Sequence, residues 1–276
     1  MTMIQNFINY LRSIRGYSEN TIRAYNADIR SFARWANDNV EDARWSKITR
    51  KDIDKYLEYM QAQELKSSTT NRQISSISSL YRYMQREGLE VENPCKYESR
   101  RKVEQQEPRT IPVKAIAKAY NRSKGATKIM IGILASTGIR IQELLDLTWE
   151  DVDFDENTLR IKGKGSKERT VHTEKYVLDQ WRELLQYAQP KGKIFYFTQR
   201  HARYLIYEAL KPYSNSPALN PHAIRHTFAT ELAKTGTPTA TIAKMLGHAH
   251  IETSEKYINM AEISSQRSAI CLTKYN

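Results

Sequence analysis

Residues 219–260 read LNPHAIRHTFATELAKTGTPTATIAKMLGHAHIETSEKYINM. His222 and Arg225 stand at i, i+3 at the start of a helical pattern carried by Ile224, Phe228 and Leu232, so both side chains project from one side. Pro238 suits the first turn of a second helix running through Met245, and Gly247 is placed to stop it, with His248 next. Tyr257 follows nine residues after His248. Two imidazoles, a guanidinium and a phenol on successive short helices suit a phosphoryl site. Arginine and histidine hold phosphate oxygens, and a tyrosine can be the nucleophile. Taken singly, each has an ordinary reading: His-x-x-Arg on a solvated face, and one packing tyrosine among 17. Order and spacing, together with two elements upstream, carry the functional reading.

The first is ASTGIRIQELLDLTWEDVDF, residues 135–154. Gly138 breaks an apolar helix containing Ile129–Leu134, and a second begins near Arg140, with Arg140 and Glu143 at i, i+3 and Leu144, Leu145 and Leu147 on the buried side. The second is TLRIKGKGSKERTVHT, residues 158–173, in which alternation around a Gly-rich basic turn reads as a β-hairpin with Lys164 at its tip.

This order resembles the tyrosine recombinase (phage integrase) family, most closely its Xer-like members. The matching pieces are Thr137-Gly138-x-Arg140-x-x-Glu143-Leu144, Gly163-Lys164-Gly165-x-Lys167-Glu168-Arg169, Pro221-His222-x-x-Arg225-His226-Thr227-Phe228-Ala229-Thr230, and Leu246-Gly247-His248 with Tyr257. The resemblance implies a mainly α protein with a small β-sheet or hairpin, built as a two-domain DNA clamp. A helical core-binding domain (1–91) is expected, then a linker (92–108) and a mixed α/β catalytic domain (109–276). The implied catalytic set is Arg140, Lys164, His222, Arg225, His248 and the nucleophile Tyr257, with Glu143 in support. The implied partners are double-stranded DNA with paired recombination sites, a homotetramer on that DNA, and an accessory protein or partner recombinase. The family's tail docks into a neighbouring protomer; here 19 residues follow Tyr257.

Composition agrees. A chain of 276 residues has room for one large or two medium domains. Net charge is +12 and the pI about 9.5, suggesting a polyanionic partner. Residues 1–108 hold 18 Lys+Arg against 15 Asp+Glu, so most of the excess lies in the half that carries the constellation. No apolar run reaches the ~20 residues of a membrane span, and no signal-peptide pattern opens the chain. Cys95 and Cys271, lone and far apart, argue against a disulfide framework and fit the cytoplasm. The six histidines form no ligand cluster with carboxylates, so neither metal nor other cofactor is expected.

Residues 1–90 read as four helices. The first runs from Ile4 to Ile14 and is stopped by Gly16; the second is capped by Ser18. The third is capped by Thr49 with Asp52 at N3, and the fourth runs from Ser67 or Ser68 towards Gly88. Tyr17-Ser18-x-Asn20-Thr21 and Thr69-Thr70-Asn71-Arg72 are the parts that resemble a core-binding domain. Thr69 and Arg72, near a helix N-terminus that favours anions, are candidate DNA contacts, as are Lys162, Lys167 and Arg169 on the hairpin. Residues 92–109 are polar, contain two prolines and have linker composition.

The chemistry follows from the residue types. Arg140 and Arg225 can grip non-bridging oxygens, where charge builds in the transition state. Lys164 on a hairpin tip can protonate the leaving 5′ oxygen. His222 and His248 can donate to phosphate oxygens or accept the tyrosine proton. Two other readings compete: a type IB topoisomerase, which shares this chemistry but only relaxes supercoils, and a catalytically dead DNA-binding relative. The complete set of six residues argues against the second.

Overall fold

A computed structural model describes residues 2–96, 109–163, 168–185 and 191–247, the last three residues of the 168–185 segment by backbone alone. Lys164, Lys167, His248, Tyr257 and Cys271 lie outside the described residues. The chain divides into two compact units, Met1–Gln105 and Gln106–Asn276.

The first unit holds α1 (Met3–Ser13), α2 (Glu19–Asn39), α3 (Arg50–Ala62) and α4 (Ser67–Arg86). Each begins where local chemistry favours it. Thr2 and Ser18 accept the main-chain N–H of Gln5 and Thr21. Thr49 and Asp52 form a capping box, Asp52 accepting from the Thr49 N–H at 2.9 Å and its hydroxyl at 2.7 Å. The apolar faces then close on one core around Phe7, Ile29, Phe32, Ile53, Tyr56, Ile77 and Leu80, all fully buried.

The second unit is arranged around α6 (Gly125–Thr137), apolar on all sides and buried from Ile129 to Ala135. Packed on it are α5 (Val113–Arg122), α8 (Lys175–Leu185), α9 (Gln199–Leu210) and α10 (Pro221–Lys234). Gly138 ends α6 in the left-handed conformation, at φ 63°. A Cβ there would lie 2.3 Å from Phe228 Cδ1 of α10, so the close approach also demands glycine. The turn redirects the chain into the short α7 (Ile141–Leu145), whose N-cap is Arg140. The last described helix, α11 (Thr239–Leu246), is capped by Pro238, one residue earlier in the helix frame than its sequence suggests, and ends at Gly247, φ 64°.

The hairpin forms as β2 (Thr158–Lys162) and β3 (Glu168–His172), paired antiparallel with Leu159 opposite Val171 and Ile161 opposite Arg169. A two-residue strand, β1 (Val152–Asp153), adds a third member by pairing with the start of β2. Among the described residues no helix is long and apolar enough to cross a membrane.

Candidate active site

The site forms where α7, β3, α10 and α11 meet. Glu143 accepts from the Arg140 main-chain N–H (2.8 Å) and from Arg140 Nη1 (2.9 Å). The same two oxygens accept from Arg169 Nη1 (3.1 Å) and Nη2 (2.8 Å). Burial works against this carboxylate's charge. The Arg169 hydrogen bonds, the Arg140 N–H and the two guanidinium charges outweigh that effect and hold Glu143 below the ordinary range of a glutamate. It is therefore ionised, and its visible task is to orient two arginines.

Arg225 is almost enclosed, at 5 % exposure. Asn220 caps α10 and Pro221 takes its first turn, which sets Arg225 one turn in. Its Nη1 donates to Gly138 O at 2.7 Å and its Nη2 to Leu246 O at 2.8 Å. One guanidinium thus ties the turn before Arg140 to the end of α11. Arg140 Nη2 donates to Gly247 O at 3.1 Å, while its side chain stays 41 % exposed and within reach of a ligand.

His222 stands at the surface on the first turn of α10. Crowding of its ring by protein is the first cause that holds the imidazole below its ordinary range. The positive charges of Arg203, Arg225 and Arg140 act in the same direction. A neutral imidazole carries one donor and one acceptor. Arg203, exposed on α9, is not among the candidates that the sequence supplies. Its position nineteen residues before His222 offers no periodic signal.

The structure thus brings Arg140, Glu143 and Arg225 to the end of α11, and His222 lies three residues before Arg225 on α10. Three hairpin and helix candidates are otherwise engaged. Arg169 points inward, not towards solvent as expected of a DNA contact: its side chain is 16 % exposed, and its Nε donates to Met245 O at 3.1 Å. Strand alternation explains this, since Arg169 shares the inner face of β3 with buried Val171. Lys162 pairs with buried Asp151 at 3.0 Å and keeps half its surface exposed. Arg72 pairs with buried Asp28 at 3.0 Å and is likewise half exposed. Thr69 sits part-buried in the first turn of α4.

Two family models match the chain: the phage integrase family over residues 110–263, and the phage integrase N-terminal SAM-like domain over 4–88. The chain belongs to the phage integrase family of tyrosine recombinases. Among relatives of this family, tyrosine recombinase XerC of Pediococcus pentosaceus is 28% identical, the match covering 97% of this chain and 96% of the relative. Tyrosine recombinase XerD of Oceanobacillus iheyensis is 29% identical, covering 94% of each. The fold is shared with XerH bound to palindromic difH substrate in a post-cleavage complex (TM-score 0.78, 17% identity, 94% of this chain and 82% of that one). It is shared too with a lambda integrase dimer bound to a COC′ core site (TM-score 0.72, 18% identity, 96% and 78%).

Proposed function

We propose that this phage integrase family member is a site-specific DNA recombinase that cleaves and rejoins strands through a 3′-phosphotyrosyl intermediate and a Holliday junction. The observation that carries the reading is the convergence of Arg140 and Arg225 on the end of α11, with His222 three residues before Arg225 on α10. Two permanently charged forks fixed in one place suit a phosphate whose non-bridging oxygens gain charge in the transition state.

In the proposed reaction the Tyr257 oxygen attacks the scissile phosphorus. Its proton passes to a histidine, His222 or His248. The bond from phosphorus to the 5′ oxygen breaks, and Lys164 gives that oxygen its proton. Attack by a 5′ hydroxyl on the phosphotyrosine reverses these steps and joins a new strand, with the bond energy retained throughout. Glu143 holds Arg140. Residues 1–91 serve as the helical half of a DNA clamp and 109–276 as the catalytic half, joined by 92–108. The working assembly is a homotetramer on paired double-stranded sites, in the cytoplasm and on the nucleoid, with an accessory protein or partner recombinase where the sites require one. Two proteins that share the fold, XerH on difH and lambda integrase on COC′, were captured on DNA, which supports a DNA substrate here.

The test needs no known target. The protein is incubated with a random nicked-duplex pool and denatured, and the attached DNA is sequenced. A covalent adduct mapping by mass spectrometry to Tyr257, and absent from Tyr257→Phe, is the expected result. Tight binding with no adduct under any condition would defeat the reading.

A further inference from the structure

The last turn of α11 presents three successive main-chain carbonyls, Met245, Leu246 and Gly247. Each accepts from a different arginine: Arg169 Nε at 3.1 Å, Arg225 Nη2 at 2.8 Å and Arg140 Nη2 at 3.1 Å. Carbonyls at a helix C-terminus lack helical partners and carry partial negative charge, so they attract cations. Here the cations arrive from three separate elements, β3, α10 and the N-cap of α7. Arg140 and Arg225 have a proposed role at the phosphate. Arg169 is set apart by its two side-chain bonds to a carboxylate. Its other two terminal nitrogens lie on the two oxygens of Glu143, which hold Arg140 by its main-chain N–H and Nη1. The fit is close on the far side as well: a Cβ at Gly247 would come within 2.9 Å of Arg169 Nη1.

We infer that Arg169 is a positioning residue of the recombination reaction, which fastens strand β3 to Glu143 and to the end of α11 and thereby fixes where the Arg140 guanidinium points. The inference rests on the phosphate-binding reading of Arg140. Physically, Glu143 is anchored by four N–H donors, two from each arginine. Removing Arg169 leaves the carboxylate held only by Arg140, so the pair is free to turn together. It also leaves Met245 O without its guanidinium. The charge of Arg140 survives such a change, but its direction does not, and orientation is what a transition-state contact requires.

The experiment compares wild type, Arg169→Ala and Arg169→Lys on the duplex recovered from the adduct selection. Single-turnover adduct formation is followed beside DNA affinity over a salt series, at a temperature well below the melting of every variant. Arg169→Ala is expected to slow adduct formation about 10²-fold. Its affinity and salt slope should remain those of wild type, because Arg169 touches no phosphate. Arg169→Lys should fall between, since one ammonium cannot serve a carboxylate and a carbonyl in a fixed fork. Combining Arg169→Ala with Glu143→Gln should slow the reaction little more than one change alone, the mark of two residues acting as a unit. A salt slope shallower by about one, with binding weakened on every sequence, would reassign Arg169 as a phosphate contact. An unchanged rate would also overturn the inference. Should Arg169→Ala fail to fold, Arg169→Lys and Glu143→Gln provide the same readings. Wild type forming no Tyr257 adduct would sink the recombinase reading and this role with it. A normal wild-type adduct with an unaffected Arg169 variant would remove the positioning role alone.

Discussion

Each unit of the molecule buries a carboxylate against arginine, and the two carboxylates respond in opposite ways. In the helical unit, Asp28 is 3 % exposed, accepts from Ser76 Oγ at 2.9 Å and faces Arg72 at 3.0 Å. Burial dominates there, and Asp28 is held above the usual aspartate range despite the hydroxyl and the cation. In the catalytic unit, Glu143 is also largely buried, yet it lies below its usual range. The difference is in the donors. Asp28 has one hydroxyl and one half-exposed arginine whose field is screened by water, whereas Glu143 has a main-chain N–H and two guanidinium groups. One arginine does not make a buried charge comfortable; a complete set of donors does.

The sharpest way to break this contrast is Glu143→Ala. It leaves Arg140 and Arg169 facing each other without their anion. With a discount for the exposure of Arg140, it should cost about 2–4 kcal/mol in hydrogen exchange of the α6 amides and at least about 10²-fold in adduct formation. A loss below ~1 kcal/mol would mean that the clamp is ornamental.

Arg72→Ala should cost less, about 1–2 kcal/mol in exchange of the α4 amides, because water already reaches the half-exposed guanidinium. It should also push Asp28 further above the usual aspartate range, which carboxyl NMR would register.

Acid sharpens the comparison by sign. Glu143 is depressed, so its contribution is present above the ordinary glutamate pKa and is lost as pH falls through its lower folded value. Asp28 is raised, so the folded unit takes up its proton more readily than the unfolded chain, and its charge penalty fades as pH falls. On acidification from neutrality, the stability difference between wild type and Glu143→Gln should shrink only below the ordinary glutamate pKa. The difference between wild type and Asp28→Asn should move the other way, in favour of wild type, as pH falls through the raised folded value of Asp28.

At neutral pH, Asp28→Asn should have the smallest effect, within about 1 kcal/mol and in the stabilising direction, since the amide oxygen still accepts from Ser76 without a buried charge. A loss as large as that of Glu143→Ala, measured in the same exchange experiment, would erase the distinction between the two sites.

Much of the fold was legible because its signals are local. Ser18, Thr49 and Asp52 cap helices by hydrogen bonds that span three residues, and Gly138 and Gly247 stop them through a conformation that glycine adopts freely. The hairpin followed from alternation of period two. The same alternation puts Arg169 on the inner face beside Val171 in the structure, whereas its place in a basic hairpin suggests a DNA contact. Strand β1 carried no signal: two residues become a strand only by pairing with Leu159 and Thr158.

The sequence by itself therefore determined where the capped helices and the hairpin lie, and which residue types suit a phosphoryl site, because caps, turns and periodicity act over a few residues. Only the tertiary structure decided which partners inside the protein each basic side chain meets. Asp28 and Asp151 claim Arg72 and Lys162, and Glu143 claims Arg169. Three arginines converge on carbonyls 21 to 107 residues away along the chain. A side chain's partner is set by the competition of every group folded within its reach, and that competition is not written in the spacing of any one motif.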